Sequence, residues 1–158
     1  MAKAHSFIIT LSNNQTESEG LDFVLGLSPE LFLPDSIGRK KLLEILGLEK
    51  RFLRAFDLVM VSGAKRGCER LEVQDPKSIT LIELKTTKKL LSHNPYGFFF
   101  GATENEFDLA RRLGEQFKFA FVCLHPKKRS TVFLTLEQLQ QLIQKKRTQF
   151  QINLMHKR

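Results

Sequence analysis

The chain has 158 residues and a formal net charge of +8, with 42% hydrophobic and 27% charged residues. This length and composition are typical of one globular domain that folds without a disulfide or a structural metal. The two cysteines, Cys68 and Cys123, lie far apart and form no CxxC pair, and no run of about 18 apolar residues occurs that could span a membrane. The first ten residues are too weakly apolar for a signal peptide. We therefore expect an intracellular, cytoplasmic protein without a membrane partner.

The positive charge is concentrated near the C-terminal end. From Lys127 to Arg158 the chain carries eight Lys or Arg residues and one acid, Glu137, a net charge of +7 out of the total +8. Such a basic end favours a polyanionic partner, because Lys and Arg release counterions from phosphates. The alternative is a solvated tail that only aids solubility. We assign residues 1–150 to a single domain and residues 151–158 to a basic tail.

The hydrophobic pattern alternates between the periods of strands and of helices. In chain order it predicts a strand at 7–11, turns and loops at 13–20, 30–32 and 34–38, and a helix at 39–48 that Gly47 ends. Strands at 55–61, 69–73 and 79–85 follow, then a polar loop at 86–95 and a short strand at 98–100. A helix at 103–114, strands at 117–124 and 131–134, and a last helix at 135–146 complete the chain. The order predicts an α/β domain with a mixed central sheet flanked by helices.

Three charged residues interrupt the two most apolar predicted strands. Side chains alternate along a strand, so Glu83 and Lys85 share one face at the end of the strand at 79–85, and Asp57 lies in the strand at 55–61. Charged side chains are rarely buried unless they are paired or bind a metal. If the two strands are neighbours, Asp57 and Glu83 converge on one point. An ordinary surface salt bridge between Glu83 and Lys85 explains the pattern equally well.

Two adjacent carboxylates favour a cation between them. Mg²⁺ prefers oxygen ligands, and Mn²⁺ can substitute for it. Such a metal lowers the pKa of a bound water and neutralises charge on a phosphate, while Lys85 could orient that water or stabilise developing charge. Asp57 and Glu83 as metal ligands, with Lys85 beside them, are therefore the minimum set for phosphodiester hydrolysis.

The segments Phe56-Asp57 and Ile82-Glu83-Leu84-Lys85 resemble the PD-(D/E)XK, or restriction-endonuclease-like, nuclease superfamily. The middle half of the chain is most similar to the C-terminal domain of NO VEIN-like proteins, through Thr86-Thr87, Thr103-Glu-Asn-Glu106, Ala110 and the aromatic strand from Phe117 to Phe121. Phe56 stands where the superfamily usually has proline. The resemblance implies a restriction-endonuclease-like fold and Mg²⁺-dependent cleavage of DNA by an endonuclease in which Asp57, Glu83 and Lys85 are catalytic.

The resemblance also implies an additional acid from an early helix, for which Glu44 is the first candidate and Glu19 the second. Asn105 and Glu106 could reach the active site, although capping of the helix at 103–114 is the simpler expectation. A symmetric homodimer would supply two sites for two DNA strands. The basic residues expected to contact nucleic acid are Lys88, Lys89, Lys127, Lys128 and Arg129.

Two further functions fit the same sequence. One is a non-catalytic nucleic-acid-binding module on a nuclease-like fold, and the other is a protein-interaction domain whose basic tail serves solubility. Loss of function on neutralising 127–129, with Glu83→Ala tolerated, would favour the first. Partner binding that is insensitive to salt would favour the second.

Overall fold

A computed structural model of the chain describes residues 15–64 and 75–158. The strands predicted at 7–11 and 69–73 lie outside these residues. The elements are α1 (15–25), β1 (Leu31–Phe32), α2 (Ser36–Leu46), β2 (Leu58–Val61), β3 (Ile79–Thr87), α3 (Glu104–Leu113), β4 (Phe117–Cys123), β5 (Ser130–Leu134) and α4 (Leu136–Gln140). No helix in the described ranges is long and apolar enough to cross a membrane.

The described strands form one five-stranded sheet in the order β1-β2-β3-β4-β5. Strands β3 and β4 are parallel, which the intervening helix α3 makes possible, and the other neighbouring pairs are antiparallel. The sheet is therefore mixed and flanked by helices, which confirms the predicted α/β class. Strand β3 is the third of the five in this order and is therefore the central strand.

The two faces of the sheet pack against different helices. Ile79 and Leu81 of β3 face one cluster, with Phe119 of β4 and Leu109 of α3. Ile82, on the opposite face, packs with Val24 of α1 in a second cluster. This alternation places Glu83 and Lys85 on the α3 side and Leu84 on the α1 side. The charged pair therefore faces the helix that follows it in the chain.

Several predicted elements are confirmed. Helix α2 ends at Gly47, whose φ of 67° is left-handed and whose N–H donates to the last turn. Strand β3 contains all of 79–85 and extends two residues further. Helix α3 begins after Thr103, and the reciprocal bonds of a capping box join Thr103 and Glu106. Strands β4 and β5 lie within about one residue of their predicted ranges.

The turn predicted at 13–20 is wrong over its described part, because helix α1 begins there. The polar residues of the first turns of α1 are mostly exposed, while Leu21, Val24 and Leu25 supply its apolar side later. Gly20 is not a helix breaker in this position. It is buried where α1 crosses β3, and a Cβ on it would lie 2.3 Å from Cγ2 of Thr86. Glycine therefore permits the close approach of the helix to the sheet.

Other boundaries also differ from the predictions. The loop at 30–32 contains the short strand β1, and α2 begins at Ser36, inside the predicted loop at 34–38, because Asp35 caps it through Gly38 N at 2.7 Å. Residues 98–100 pair with no strand of the described ranges; Phe98 and Phe100 pack on Phe121 instead. Strand β2 begins after Asp57, and α4 ends at Gln140, since the residues beyond it are mostly exposed.

Adding a methyl group at Gly20 should force α1 away from β3. We expect Gly20→Ala to lower the free energy of unfolding by about 1–3 kcal/mol, the usual cost of overpacking. Gly26→Ala is the control, since its Cβ would meet no atom closer than 3.5 Å. Denaturant unfolding measures both.

The double variant Gly20→Ala/Thr86→Ser tests the cause of this destabilisation. It removes the Cγ2 atom that the new Cβ would meet, so it should recover part of the stability. A destabilisation at Gly20 that Thr86→Ser does not reduce would mean that this contact is not what requires glycine.

Candidate active site

The register between β2 and β3 brings Asp57 next to Glu83. Leu58 is paired with Ile82, so Asp57, one residue earlier, lies beside Glu83. Its N–H donates to Ile82 O at 2.8 Å, and its Oδ2 accepts from Leu84 N at 2.8 Å. The carboxylate of Asp57 thus extends the pairing of the two strands by one side-chain bond, which fixes its position at the end of the sheet.

Glu83 and Lys85 lie in direct, buried contact on the α3 side of β3. Nζ of Lys85 lies 3.2 Å from Oε1 of Glu83, and the exposed fraction of the Lys85 side chain is 11%. Oε2 of Glu83 is buried and has no hydrogen-bond partner among the described residues. Burial and the nearby charge of Asp57 raise the pKa of Glu83 to about 10. The site therefore holds one carboxyl group whose negative charge is strongly disfavoured in the protein alone.

Glu106 of α3 completes the cluster. Its Oε1 accepts from Nζ of Lys85 at 2.5 Å, and its Oε2 accepts from Thr103 N at 2.7 Å. Burial alone would raise the pKa of Glu106, but the bonds from Lys85 and Thr103 lower it overall. Burial would likewise lower the pKa of Lys85, and Glu83 and Glu106 together raise it. Glu106 is thus both the cap of α3 and a direct partner of Lys85.

The sequence left these two roles of Glu106 as alternatives, and the structure shows that one carboxylate performs both, with one oxygen for each. Asn105 points elsewhere, since it exchanges hydrogen bonds with Arg51.

A cleft of about 570 Å³ opens at the carboxyl end of β3. Asp57, Glu83 and Lys85 line it, together with residues of α1 and of the segment before α3. The cleft therefore gathers the three residues that the sequence singled out, and ligand sites of open α/β sheets lie at this end of the strands.

The acids proposed from an early helix do not enter the cleft. Glu44 is exposed on α2 and does not line it, and Glu19 forms an ion pair with Lys88 at 3.7 Å. Glu17 of α1 does line the cleft. Glu17 was not predicted as a site residue, because the first turns of α1 have the composition of a polar turn.

Asp57 and Glu83 are the residues that could hold a metal ion. Leu84 N engages only one oxygen of Asp57, and Oε2 of Glu83 has no partner in the described ranges. Mg²⁺ commonly binds through one or two carboxylates and completes its shell with water and phosphate oxygens. The pair fits that requirement, although residues 15–64 and 75–158 contain no group of three or more His, Cys, Asp or Glu residues that could hold a metal.

The basic residues predicted to contact nucleic acid are spread over the surface. Lys88 lines the cleft, whereas Lys89 and Lys127, Lys128 and Arg129 do not. The last three lie between β4 and β5, and Nζ of Lys128 donates to Ser92 O at 2.5 Å. The segment 141–158 is exposed and irregular after its first few residues. Of the predicted contacts, only Lys88 is beside the acids.

A second group of cations, which the sequence did not single out, lies beside Asp57. Arg39, Lys40 and Arg54 line a pocket of about 410 Å³, and Asp57 lines both this pocket and the cleft. Arg39 donates to the backbone oxygens of Leu53 and Phe56, at 3.0 and 2.5 Å, and so holds the segment that ends at Asp57. Lys40 and Arg54 form no ion pair within the described residues. The sequence feature that could have revealed this pocket is the presence of basic residues both at 39–41 and at 51–54, on either side of the end of α2.

Comparisons of the chain with models of protein families, with curated proteins and with solved structures found no match. The resemblance carried by Asp57, Glu83 and Lys85 therefore stays an expectation from the sequence.

Replacing Glu106 with Gln separates its charge from its capping role. Glutamine also closes a capping box, so α3 should keep its start, while Lys85 loses a buried partner. We expect the free energy of unfolding to fall by about 2 kcal/mol, less than the roughly 3–5 kcal/mol that breaking a buried ion pair costs, because Lys85 keeps its contact with Glu83. Chemical denaturation followed by circular dichroism measures it.

Glu104→Gln is the matched control, because it removes the same charge from the same helix turn at an exposed position. It should cost less than about 0.5 kcal/mol. Equal destabilisation of the two variants would show that the bond to Lys85 adds nothing to stability.

Proposed function

We propose that the protein is a metal-dependent endonuclease that hydrolyses DNA phosphodiester bonds at the cleft. The observation that supports this most directly is the convergence of Asp57, Glu83 and Lys85 in one cleft, although Asp57 precedes β2 and the other two lie in β3. A surface salt bridge would not require a third charged residue, or a buried carboxylate oxygen without a partner. The arrangement is what a hydrolytic site for phosphate esters needs: acids for a cation and a fixed ammonium group.

Within this proposal each residue has a separate task. Asp57 and Glu83 would hold a divalent cation, which supplies an activated water and neutralises charge on the phosphate. Lys85 lines the same cleft, and its ammonium group would stabilise negative charge that develops on the phosphate. Glu106 is a positioning residue, because it contacts Lys85 and does not line the cleft.

The basic pocket formed by Arg39, Lys40 and Arg54 supports a polyanionic substrate. A strand whose scissile phosphate lies at Asp57 would place a neighbouring phosphate near Lys40 and Arg54, because Asp57 borders both cavities. These two cations have no acidic partner in the described chain and are free to contact a phosphate. The predicted contacts at 88–89 and 127–129 would add affinity around the site without determining its chemistry.

A non-catalytic nucleic-acid-binding module is the second candidate. It is favoured by the ion pairs that Lys85 already makes with two carboxylates, since a paired lysine can serve structure alone. The same basic pocket would then hold nucleic acid without cleavage.

The endonuclease proposal also includes an intracellular location, supported by the free thiol of Cys123, and a homodimer if both strands of a duplex are cut.

The decisive test is incubation of the protein with supercoiled plasmid and Mg²⁺, Mn²⁺ or EDTA. We expect metal-dependent nicking, with linear product only if two sites act together. Asp57→Asn, Glu83→Gln and Lys85→Met should each reduce the rate by about 100-fold or more, the usual effect of removing one electrostatic group from an active site.

Glu44→Gln is the control, because it removes an acid that lies outside the cleft. It should leave the rate unchanged. A wild-type protein that binds the plasmid but never cuts it, with any of these metals, would support the binding module. Cleavage of RNA but not of DNA would correct the substrate class and leave the site intact.

Neutralising the basic pocket should weaken the binding of nucleic acid and reduce the dependence of that binding on salt. For Lys40→Gln/Arg54→Gln we expect the slope of log K against log salt concentration to fall by about 1 for each phosphate that the variant can no longer bind. Fluorescence anisotropy with a labelled oligonucleotide measures this slope.

The charge-matched control is Lys77→Gln/Lys118→Gln. These lysines lie at the start of β3 and β4, away from the carboxyl end where the cleft opens. If both double variants reduce the slope equally, nucleic acid responds to net charge alone and the pocket is not a specific contact.

A further inference from the structure

The segment before α3 presents an aromatic ring to water beside the acids. Phe99 is 95% exposed, the highest value for an aromatic residue in the described chain. Single exposed apolar residues are common and need no explanation. Two features distinguish Phe99: both of its neighbours in the chain pack against the core, and Phe99 itself lines the cleft.

Both neighbours of Phe99 are anchored in the core. The rings of Phe98 and Phe100 each lie 5.0 Å from the ring of Phe121, edge to face, and 6.2 Å from each other. Phe121 belongs to β4 and is paired in register with Lys85 of β3. The segment is therefore fixed against β4, next to the strand β3 that carries Glu83 and Lys85. With both neighbours turned inward, Phe99 is directed outward on a rigid support.

Phe99 also lines the cleft that contains Asp57, Glu83 and Lys85. An aromatic ring beside a phosphate-binding group is the arrangement that proteins use to stack on bases of single strands. In a duplex each base is covered on both faces by neighbouring base pairs. An aromatic side chain therefore reaches the face of a base only after two adjacent base pairs are unstacked. A cleft of about 570 Å³ is the size of a small-ligand pocket, and it would accommodate about one or two nucleotides.

We propose that Phe99 stacks on an unpaired base next to the phosphate bound at the acids, so that the substrate class is a single strand or a locally unpaired segment. This inference rests on the proposed function. Stacking is independent of base identity, because every base has a π-face. It would give the cleft a preference for unpaired structure and not for sequence.

The chain contains no tryptophan, which makes a direct probe available. Phe99→Trp introduces the only indole, at an exposed position that tolerates it, and stacking of a base should quench its fluorescence. The titration uses single-stranded oligothymidylate, with Ca²⁺ in place of Mg²⁺ to prevent cleavage. We expect saturable quenching by the single strand and much weaker quenching by a duplex of equal length.

Tyr96→Trp is the matched control. Tyr96 is 66% exposed in the same segment but does not line the cleft, so its replacement should report little or no quenching under the same conditions. Equal quenching of both indoles would show that nucleic acid covers this surface without stacking on residue 99, and the inference would be wrong.

A second measurement compares two backbones with the same phosphates. Phe99→Leu should weaken binding of oligothymidylate by roughly tenfold, within the range known for removal of one base–aromatic stack. It should leave unchanged the binding of an oligomer of abasic sites, because that backbone has no base to stack. Anisotropy measures both affinities for the wild type and the variant.

These outcomes separate the inference from the function on which it rests. Binding of nucleic acid by the wild type, without quenching of Trp at 99 or with equal quenching by duplex and single strand, overturns only the stacking of an unpaired base. Absence of binding to any nucleic acid, in Ca²⁺ or in EDTA, overturns the proposed function together with the inference.

Discussion

The compensation of charge at the carboxyl end of β3 is the constraint on which the site depends. Three carboxyl groups, those of Asp57, Glu83 and Glu106, meet one ammonium group, that of Lys85, where the sheet, α3 and the cleft adjoin. Burying carboxylates costs free energy unless positive charge or hydrogen bonds offset it. Lys85 and the Thr103 N–H offset Glu106, and Leu84 N offsets part of Asp57. Glu83 is left with the least compensation, which is why its pKa is raised to about 10.

This imbalance connects folding with function. A structural ion cluster has no need of a third carboxylate, because Lys85 is already neutralised by Glu106. The excess acid is compensated by a proton when nothing else is present, and a divalent cation between Asp57 and Glu83 would compensate it equally well. The elements that hold the cluster are rigid: β3 is paired on both sides, and the N-terminal cap of α3 shares a carboxylate with Lys85. Sites on such elements keep their geometry better than sites on loops.

The sequence predicted the parts of the structure in which local pattern and tertiary packing agree. Strand β3 is apolar on both faces, and α3 has a complete cap, so neither depends on distant residues for its assignment. The neighbourhood of Asp57 and Glu83 was only a condition of the sequence argument, because another strand was predicted at 69–73 between theirs. The pairing of β2 with β3 meets that condition. Glu106 was harder, because a capping glutamate gives no sign in the sequence of what its second oxygen contacts.

The features that sequence reasoning missed are those created by contacts between distant segments. Gly20 is typical of a turn in isolation, and only the position of Thr86 shows that a helix passes over the strand there. Residues 98–100 have the composition of a strand, but two of the three rings are used to fill space around Phe121. The pocket formed by Arg39, Lys40 and Arg54 requires the turn before β2 to bring α2 against the segment that ends at Asp57.

The distribution of charge also has a different meaning in three dimensions. By count, nearly all of the excess positive charge lies in the last 32 residues, which draws attention to the C-terminal segment as the nucleic-acid contact. The cations that border Asp57 come instead from the nearly neutral part of the chain, where Arg39 is fixed by backbone oxygens. Lys40 and Arg54 form no ion pair among the described residues. Screened charges on an exposed segment contribute mainly to long-range attraction and to the rate of encounter. In the proposed function, a cation held at a fixed position beside Asp57, as Arg39 is, would determine which phosphate lies over the carboxylates. The choice of bond would then be made by the body of the domain.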